Sequence, residues 1–514
     1  QGMKRKLDMA DSCIVPNVDI KLSKEEDDLF TLLMNVVIFY KMPCILRVAG
    51  GWVRDKIMGK AAHDIDIAID DRMGKSFAES VVQFMQAQGR KGEVGSIGVI
   101  KSNPEQSKHL ETATLKVLGF EIDFVNLRAE EYTDTRIPTM RIGTALEDAM
   151  RRDLTINALF YNVNDRTVED HTGSGMKDLE DKIIRTPLPP LQTMTDDPLR
   201  ALRAIRFACR FNFKLDRELE ETLSTSEVRQ ALASKVSKER VYTELNGMLL
   251  GPDPQRSLDL LYSCGMFGVI FSVPESIKEE QLDASWTSRA MAVGRKISSL
   301  DHQSLSLILR KDLPEQPVAL QLLPAEERRL VFLAAALTPL RALQVEGGKK
   351  PVPLVEYVIR TSLKGPIKDV QDVSVLLECS EELRLLAASP KNQCQDAELK
   401  LRAAKCLRRG GAQWRLALVL AAGELAESSE LKKLHALERE MMDNWALDKC
   451  WELKPLLSGN DICQILSLDK KNKEDGIKIG SITKEVLDWQ LSQPRPLEAK
   501  REECEQWVKE KFST

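Results

Sequence analysis

The chain has 514 residues, with 74 basic against 78 acidic, for a net charge of −4. That length holds several domains with real cores, and the balanced charge excludes a uniformly basic nucleic-acid binder, so any RNA surface must be a local patch. Ten cysteines without a Cys-x-x-Cys pair, and only five histidines, argue for free thiols and against a zinc centre. No apolar run approaches the ~18 residues of a membrane helix. No secretory core opens the chain, and MKRKLDMADS carries acids too early for a good transit peptide. The Lys4-Arg5-Lys6 trio suits nuclear entry or simply a solvated terminus. The expectation is a protein with no membrane partner, in the cytoplasm, with the nucleus and mitochondria as further compartments.

Residues 1–23 read as an N-terminal extension. Residues 24–40, KEEDDLFTLLMNVVIFY, have the periodicity of an amphipathic helix leading into the strand CILRVA. The next stretch, Val48 to Asp71, VAGGWVRDKIMGKAAHDIDIAIDD, is what the chain is organised around. Gly50 and Gly51 allow backbone amides to approach an anion at the start of a helix beginning near Trp52. Arg54, in the first turn, suits either a triphosphate, whose oxygens match a guanidinium in pairs, or a salt bridge with Asp55 or Asp66. Asp64 and Asp66, two apart in an alternating strand, share one face. Hard cations such as Mg2+ take oxygen ligands from one or two carboxylates and substrate phosphates, so these aspartates suggest metal-assisted phosphoryl transfer. His63-Asp64 does not make a metal phosphohydrolase, because no other histidine is suitably spaced.

Ser76 to Gln88 reads as a second helix. The region from Gly92 to Arg128 reads as strands joined by a polar loop with a turn at Asn103-Pro104. Its last strand offers Asp123 as a third carboxylate beside Asp64 and Asp66. Arg128 to Ala149 is polar and aperiodic, which predicts a mobile loop beside the site. In RRDLTINALFYN, Arg152 supplies a cation for phosphate, while Asp153 and Asn157, one turn apart, suit ribose hydroxyls. Pro187, Pro189 and Pro190 cannot continue a helix or central strand and close the α/β domain, 24–190.

Beyond 190 the pattern is helical. Thr195-Asp196-Asp197-Pro198 is a helix start. Cytosine and adenine each present an exocyclic amine beside an unprotonated ring nitrogen. Asp197, which only accepts, and Arg200, which only donates, therefore match C or A and reject U or G; an N-cap with a local ion pair is the other reading. Arg200, Arg203 and Arg206 form a stripe free of acids beside Phe207 and Phe211, which leans toward nucleic acid. SKERVYTEL, 237–245 within it, starts another helix with Ser237 as cap. Helix follows helix from about 265, with weak linkers at Gly347-Gly348, at 388–392 and at Gly410-Gly411. Gly459 to Trp489, lysine-bearing, is a candidate RNA contact. The divisions are a neck at 191–265, a body at 266–395 and a tail at 396–514.

Several of these stretches together resemble a known family. GGWVRD with DIDI, RRDLTINALFYN, a loose GxxDLxxxxIRTP run, DDPLRALRAIRFACRF and SKERVYTEL stand in the order found in class II tRNA nucleotidyltransferases of the polymerase-beta-like superfamily. The match covers residues 45 to 265. DFVNLR and HLETAT look like the eukaryotic CCA-adding branch. Asp196 is a departure, since the family usually has Glu there. The resemblance implies an α/β head, a mixed sheet with helices, followed by an all-α neck, body and tail. It implies CCA addition to tRNA from CTP and ATP, with Asp64 and Asp66 holding magnesium. It also implies Arg152, Asp153 and Asn157 on the sugar and phosphates, and Asp197 with Arg200 on the base. A poly(A) polymerase of the same family and a non-catalytic RNA-binding protein are the alternatives. Oligomeric state and the identity of the general base are not legible.

Overall fold

A computed structural model describes the chain except residues 1–13, 17, 63, 101–111, 132–138, 279, 311–322, 347–349, 390–395, 426–427 and 513–514. The Asn103-Pro104 turn, the Gly347-Gly348 linker, His63 and the Lys4–Lys6 trio lie outside the described residues. The chain divides into two compact units, Gln1–Leu245 with Ser263–Met266, and Asn246–Tyr262 with Phe267–Thr514. The first takes in the expected head and most of the expected neck.

Helix α1, Lys24–Phe39, opens with a capping box in which Ser23 and Glu26 satisfy each other's backbone amides. It leads into β1, Leu46–Ala49, then α2, Gly51–Ile57, and β2, Ile65–Ile69. Helix α3 spans Gly74–Ala87, two residues earlier than the periodicity suggests. Gly74 is obligatory there: a Cβ would stand 2.3 Å from the Phe124 carbonyl oxygen. Strands β3, Val94–Ile100, β4, Thr112–Val117, and β5, Phe120–Asn126, follow.

Among its described residues, the polar stretch expected as a mobile loop instead forms regular structure. It forms the ladder of β6, Arg128–Glu131, with β7, Thr139–Ile142, and then helix α4, Ala145–Met150. A Thr144/Glu147 capping box starts α4. Strands β8, Leu159–Asn162, and β9, Thr167–Asp170, complete a mixed sheet of order β3-β4-β5-β2-β1-β8-β9. Only the β2/β5 pair is parallel among the ladders of this sheet in the described residues. Phe77 of α3 meets Phe124 of β5 edge to face at 5.3 Å, sealing one side of the sheet.

Helix α5, Gly175–Glu180, precedes β10, Ile183–Ile184. Pro190 begins α6, Pro190–Asp196, because the first turn of a helix needs no amide donor. Helix α7, Leu199–Phe211, buries Ala201, Leu202, Ala204, Ile205 and Ala208 and leaves its arginines on the other face. Strand β11, Lys214–Leu215, pairs with β10 in parallel, and α8, Arg217–Leu223, α9, Ser226–Lys235, and α10, Lys238–Leu249, follow.

The second unit is almost wholly helical. Its centre is the mutual packing of helices Trp286–Ser298, Ala325–Leu337, Ile367–Ala388 and Trp414–Glu424, with Trp414 and Phe332 fully buried. Near the end of the chain, Leu457, Ile462, Ile479, Ile482, Val486, Cys504 and Val508 form their own cluster. No helix among the described residues is long and apolar enough to cross a membrane. The eight described cysteines are free thiols.

Candidate active site

The parallel register of β2 and β5 sets Asp66 directly beside Asp123. Both carboxylates open into a cleft of about 590 Å³ in the first unit. Thr114, opposite Asp123 on β4, donates its hydroxyl to Asp123 Oδ1 at 2.6 Å and fixes that carboxylate. Burial raises the pKa of Asp66 above the usual carboxylate range, and the neighbouring Asp123 charge raises it further, against the pull of Arg152. Asp64 lies one residue before β2, exposed and outside the cleft lining, and acts on Asp66 through its charge.

Two adjacent carboxylates are a repulsive pair that a cation relieves. With oxygen donors alone they fit a hard divalent ion. No group of three His, Cys, Asp or Glu that could hold a metal comes together among the described residues. Water and substrate phosphates would therefore complete the shell.

Across the cleft stand the arginines of the turn after α4. Arg152 Nε and Nη2 donate to Asp148 Oδ2 at 3.0 and 2.8 Å, and Nη1 donates to the Asn157 carbonyl at 3.2 Å. Gly50, at φ +73°, explains itself here. A Cβ would lie 2.8 Å from Arg152 Nη1, so the missing side chain admits the guanidinium. The Gly50 amide donates to the Leu159 carbonyl at 3.0 Å, so it is not held open for phosphate. Gly51 opens α2, and neither glycine lines the cleft.

Asp153 is buried and its pKa is lowered. Burial alone would raise it, but Arg203 Nε at 2.7 Å and Asn157 Nδ2 at 3.1 Å outweigh that. Asn157, expected to meet ribose, is turned away from the cleft lining and joins Asp153 to Arg54. Arg54, for which the sequence left a triphosphate contact or a salt bridge open, pairs with Asp55. It is 3% exposed, donates to Asp55 at 2.8 Å and to Asn157, and is stacked by Phe207 and Phe211 at 5.2 and 4.5 Å. Burial lowers its pKa.

Helix α7 brings Arg200 and Arg203 to the same cleft as Asp66 and Asp123, with Asp197 at its head. Asp197 Oδ1 accepts the Leu199 amide at 3.2 Å, although the N-cap position itself is Pro198. Arg206 does not reach the cleft lining and pairs with buried Glu244 of α10 at 2.7 Å.

Sequence reasoning missed Asp148, Arg151 and Arg240. Arg240 Nη2 donates to Asp197 Oδ2 at 3.1 Å, and all three line the cleft. The doubled arginine in RRD and the first turn of SKERVYTEL were the available signals for two of them; Asp148 lay in the stretch expected to be loop.

A family model described as the poly A polymerase head domain matches residues 46–185. One described as a probable RNA and SrmB-binding site of polymerase A matches residues 212–278. The chain is 34% identical to a Saccharomyces cerevisiae protein named CCA tRNA nucleotidyltransferase, mitochondrial, over 92% of this chain and 91% of that one. It is 32% identical to tRNA nucleotidyltransferase cca1 of Schizosaccharomyces pombe, over 92% and 94%. A solved CCA-adding enzyme in complex with ATP superposes with a TM-score of 0.60 at 18% identity, covering 96% of this chain and 95% of that one. That last likeness concerns the fold.

Proposed function

The chain belongs to the CCA-adding tRNA nucleotidyltransferases, and from that premise we propose how the cleft divides the work. The enzyme is a template-independent RNA nucleotidyltransferase. It adds C, C and A to tRNA 3′ ends from CTP and ATP and releases pyrophosphate. The relatives match over nine-tenths of both chains and do not favour a poly(A) polymerase or a non-catalytic RNA-binding protein.

Enzymes of this family use divalent metal; in this chain we assign it to Asp64 and Asp66, with Asp123 beside Asp66 as the third carboxylate, and take the ion as Mg2+. When bound, such ions stabilise charge developing on the attacking and leaving oxygens. Arg152 and Arg203 face the triphosphate, and Asp197 with Arg200 accepts and donates on the base edge. The 3′ hydroxyl oxygen bonds to the α-phosphorus as the bond to pyrophosphate breaks, and the hydroxyl proton leaves to a nearby carboxylate or water. The observation that carries this assignment is that the acidic pair and the Asp197/Arg200 pair open into one cleft.

We also read residues 396–514 as the tRNA-holding tail, since duplex RNA is held by shape and phosphate contacts. By likeness to the Saccharomyces protein's name, mitochondria are one compartment, with cytosol and nucleus as others; fractionation tests this.

The deciding experiment offers tRNA lacking its terminus, Mg2+ and each nucleotide singly or together. Addition limited to CCA supports the assignment. Asp66→Ala should lower incorporation by about two orders of magnitude or more, the scale on which a group in the reacting site contributes. Undiminished incorporation would reject the metal assignment.

A further inference from the structure

Among its described residues, the stretch expected to be a mobile loop holds a buried carboxylate with an unusual set of partners. Asp148 is 1% exposed. Its Oδ1 accepts from Arg151 Nε at 3.0 Å, Arg151 Nη2 at 2.6 Å and the Arg128 amide at 3.0 Å. Its Oδ2 accepts from Arg152 Nε and Nη2 at 3.0 and 2.8 Å. One side chain thus gathers two guanidiniums and the first residue of the β6–β7 hairpin.

We propose that Asp148 is a positioning residue for nucleotide addition: it holds Arg151 and Arg152 in place for the triphosphate and keeps Arg152 off the acidic pair. This rests on the functional assignment above. Three observations support it. Both guanidiniums keep an edge, their side chains 21% exposed, toward the cleft they line. A buried carboxylate needs such compensation, so its ionised form is secure and its pKa is held down to about 2. Arg152 lies within electrostatic reach of Asp66. Released from Asp148, it has a competing acidic partner on the cleft floor, where it would neutralise the carboxylates meant for the cation and withdraw from phosphate.

The remaining contacts of Arg152 complete the clamp. The Asn157 carbonyl, the Phe160 ring at 5.1 Å and the space left by Gly50 hold it from other sides without satisfying its charge. Among the described residues, the carboxylate that Arg152 hydrogen-bonds is that of Asp148. Groups fixed before the ligand arrives lose little freedom when it binds.

The test is calorimetric binding to the full chain with Mg2+ and without tRNA, so that no transfer occurs. The probes are CTP, inorganic pyrophosphate and CMP. Asp148→Asn keeps the shape and removes the charge. The dissociation constants for CTP and pyrophosphate should rise about 10- to 100-fold, as for loss of other supporting partners, while that for CMP changes by less than about threefold. An unchanged CTP constant overturns the role. So does an equal loss for CTP and CMP, which a merely structural residue would give. If Asp148→Asn does not fold, Asp148→Asn with Arg151→Gln, which strands one guanidinium fewer, is compared with Arg151→Gln alone. Weaker CTP binding in the double variant supports the role and equal binding overturns it. Failure of the parent chain to bind CTP would instead reject the functional assignment.

Discussion

Arg240 Nη2 stands 3.1 Å from Asp197 Oδ2, so the carboxylate assigned to the base edge is already shared with a cation from another helix. A nucleotide that brings an exocyclic amine to Asp197 can share that charge, whereas one that brings a carbonyl meets an acceptor. Asp197→Ala should therefore reduce discrimination against UTP and GTP by about one to two orders of magnitude, the worth of one bidentate pair at ~1–3 kcal/mol. Competition assays with all four nucleotides measure it. Selectivity equal to the parent's would defeat the base-reading role.

Gly50→Ala should act on Arg152 rather than on phosphate directly. The added methyl would meet Arg152 Nη1 at 2.8 Å, on a backbone at φ +73°. With ψ at −120° this is the mirror-strand region open essentially to glycine, where another residue costs roughly 1–3 kcal/mol, and the displaced guanidinium should raise KM for CTP and ATP together with little change in their ratio. Steady-state kinetics with each nucleotide shows this; a change confined to one nucleotide would contradict it.

Removing Arg54 should damage stability more than binding. Arg54→Met leaves Asp55 and Asn157 without their cation and removes the guanidinium that lies against the stacked rings of Phe207 and Phe211. Breaking a buried pair from one side costs about 3–5 kcal/mol. Chemical denaturation should show the loss in the transition of the first unit. CTP affinity of the protein that remains folded should stay near the parent's.

The edge of the sheet supplies a pH signature. Glu169, 5% exposed, accepts from Arg47 at 2.6 Å and from Asn162 at 2.8 Å, with His171 Nε2 at 3.0 Å. Burial would raise its pKa, but His171 and Arg47 hold it down at about 2, below the unfolded value of 4.5. The folded state thus binds this proton less readily than the unfolded one. The stability it contributes is present above pH 4.5 and is lost as pH falls toward 2. Glu169→Gln should be less stable than the parent at neutral pH by ~1–3 kcal/mol, and the gap should close over that acid range. Thermal unfolding from pH 7 down to 2 checks it, and a constant gap would refute the assignment.

Short-period patterns were legible because they need no partner. The alternation in DIDI set Asp66 on one face, and the apolar spacing of residues 24–40 marked α1 within a residue. Arg54 and Arg152 were not separable, since each is an arginine close to a glycine or an acid. Burial against two phenylalanines of a helix more than 150 positions later engages one, and the gap beside Gly50 gives the other its place. The polar run before RRD lacked periodicity because its two short strands pair with each other and its helix is anchored through Asp148, whose value lies in what surrounds it. The Thr144/Glu147 capping box was the one local sign there.

The spacing of Asp66 and Asp123 is set by main-chain hydrogen bonds between two parallel strands. Side chains behind those strands can be exchanged for others of similar bulk while the acids keep their separation, so the reactive distance is insulated from drift in the interior. A slip of one position between the two strands is not tolerated in the same way, because it would send one carboxylate to the opposite face. Length changes in the connection between them are therefore harmless only when the ladder re-forms in phase.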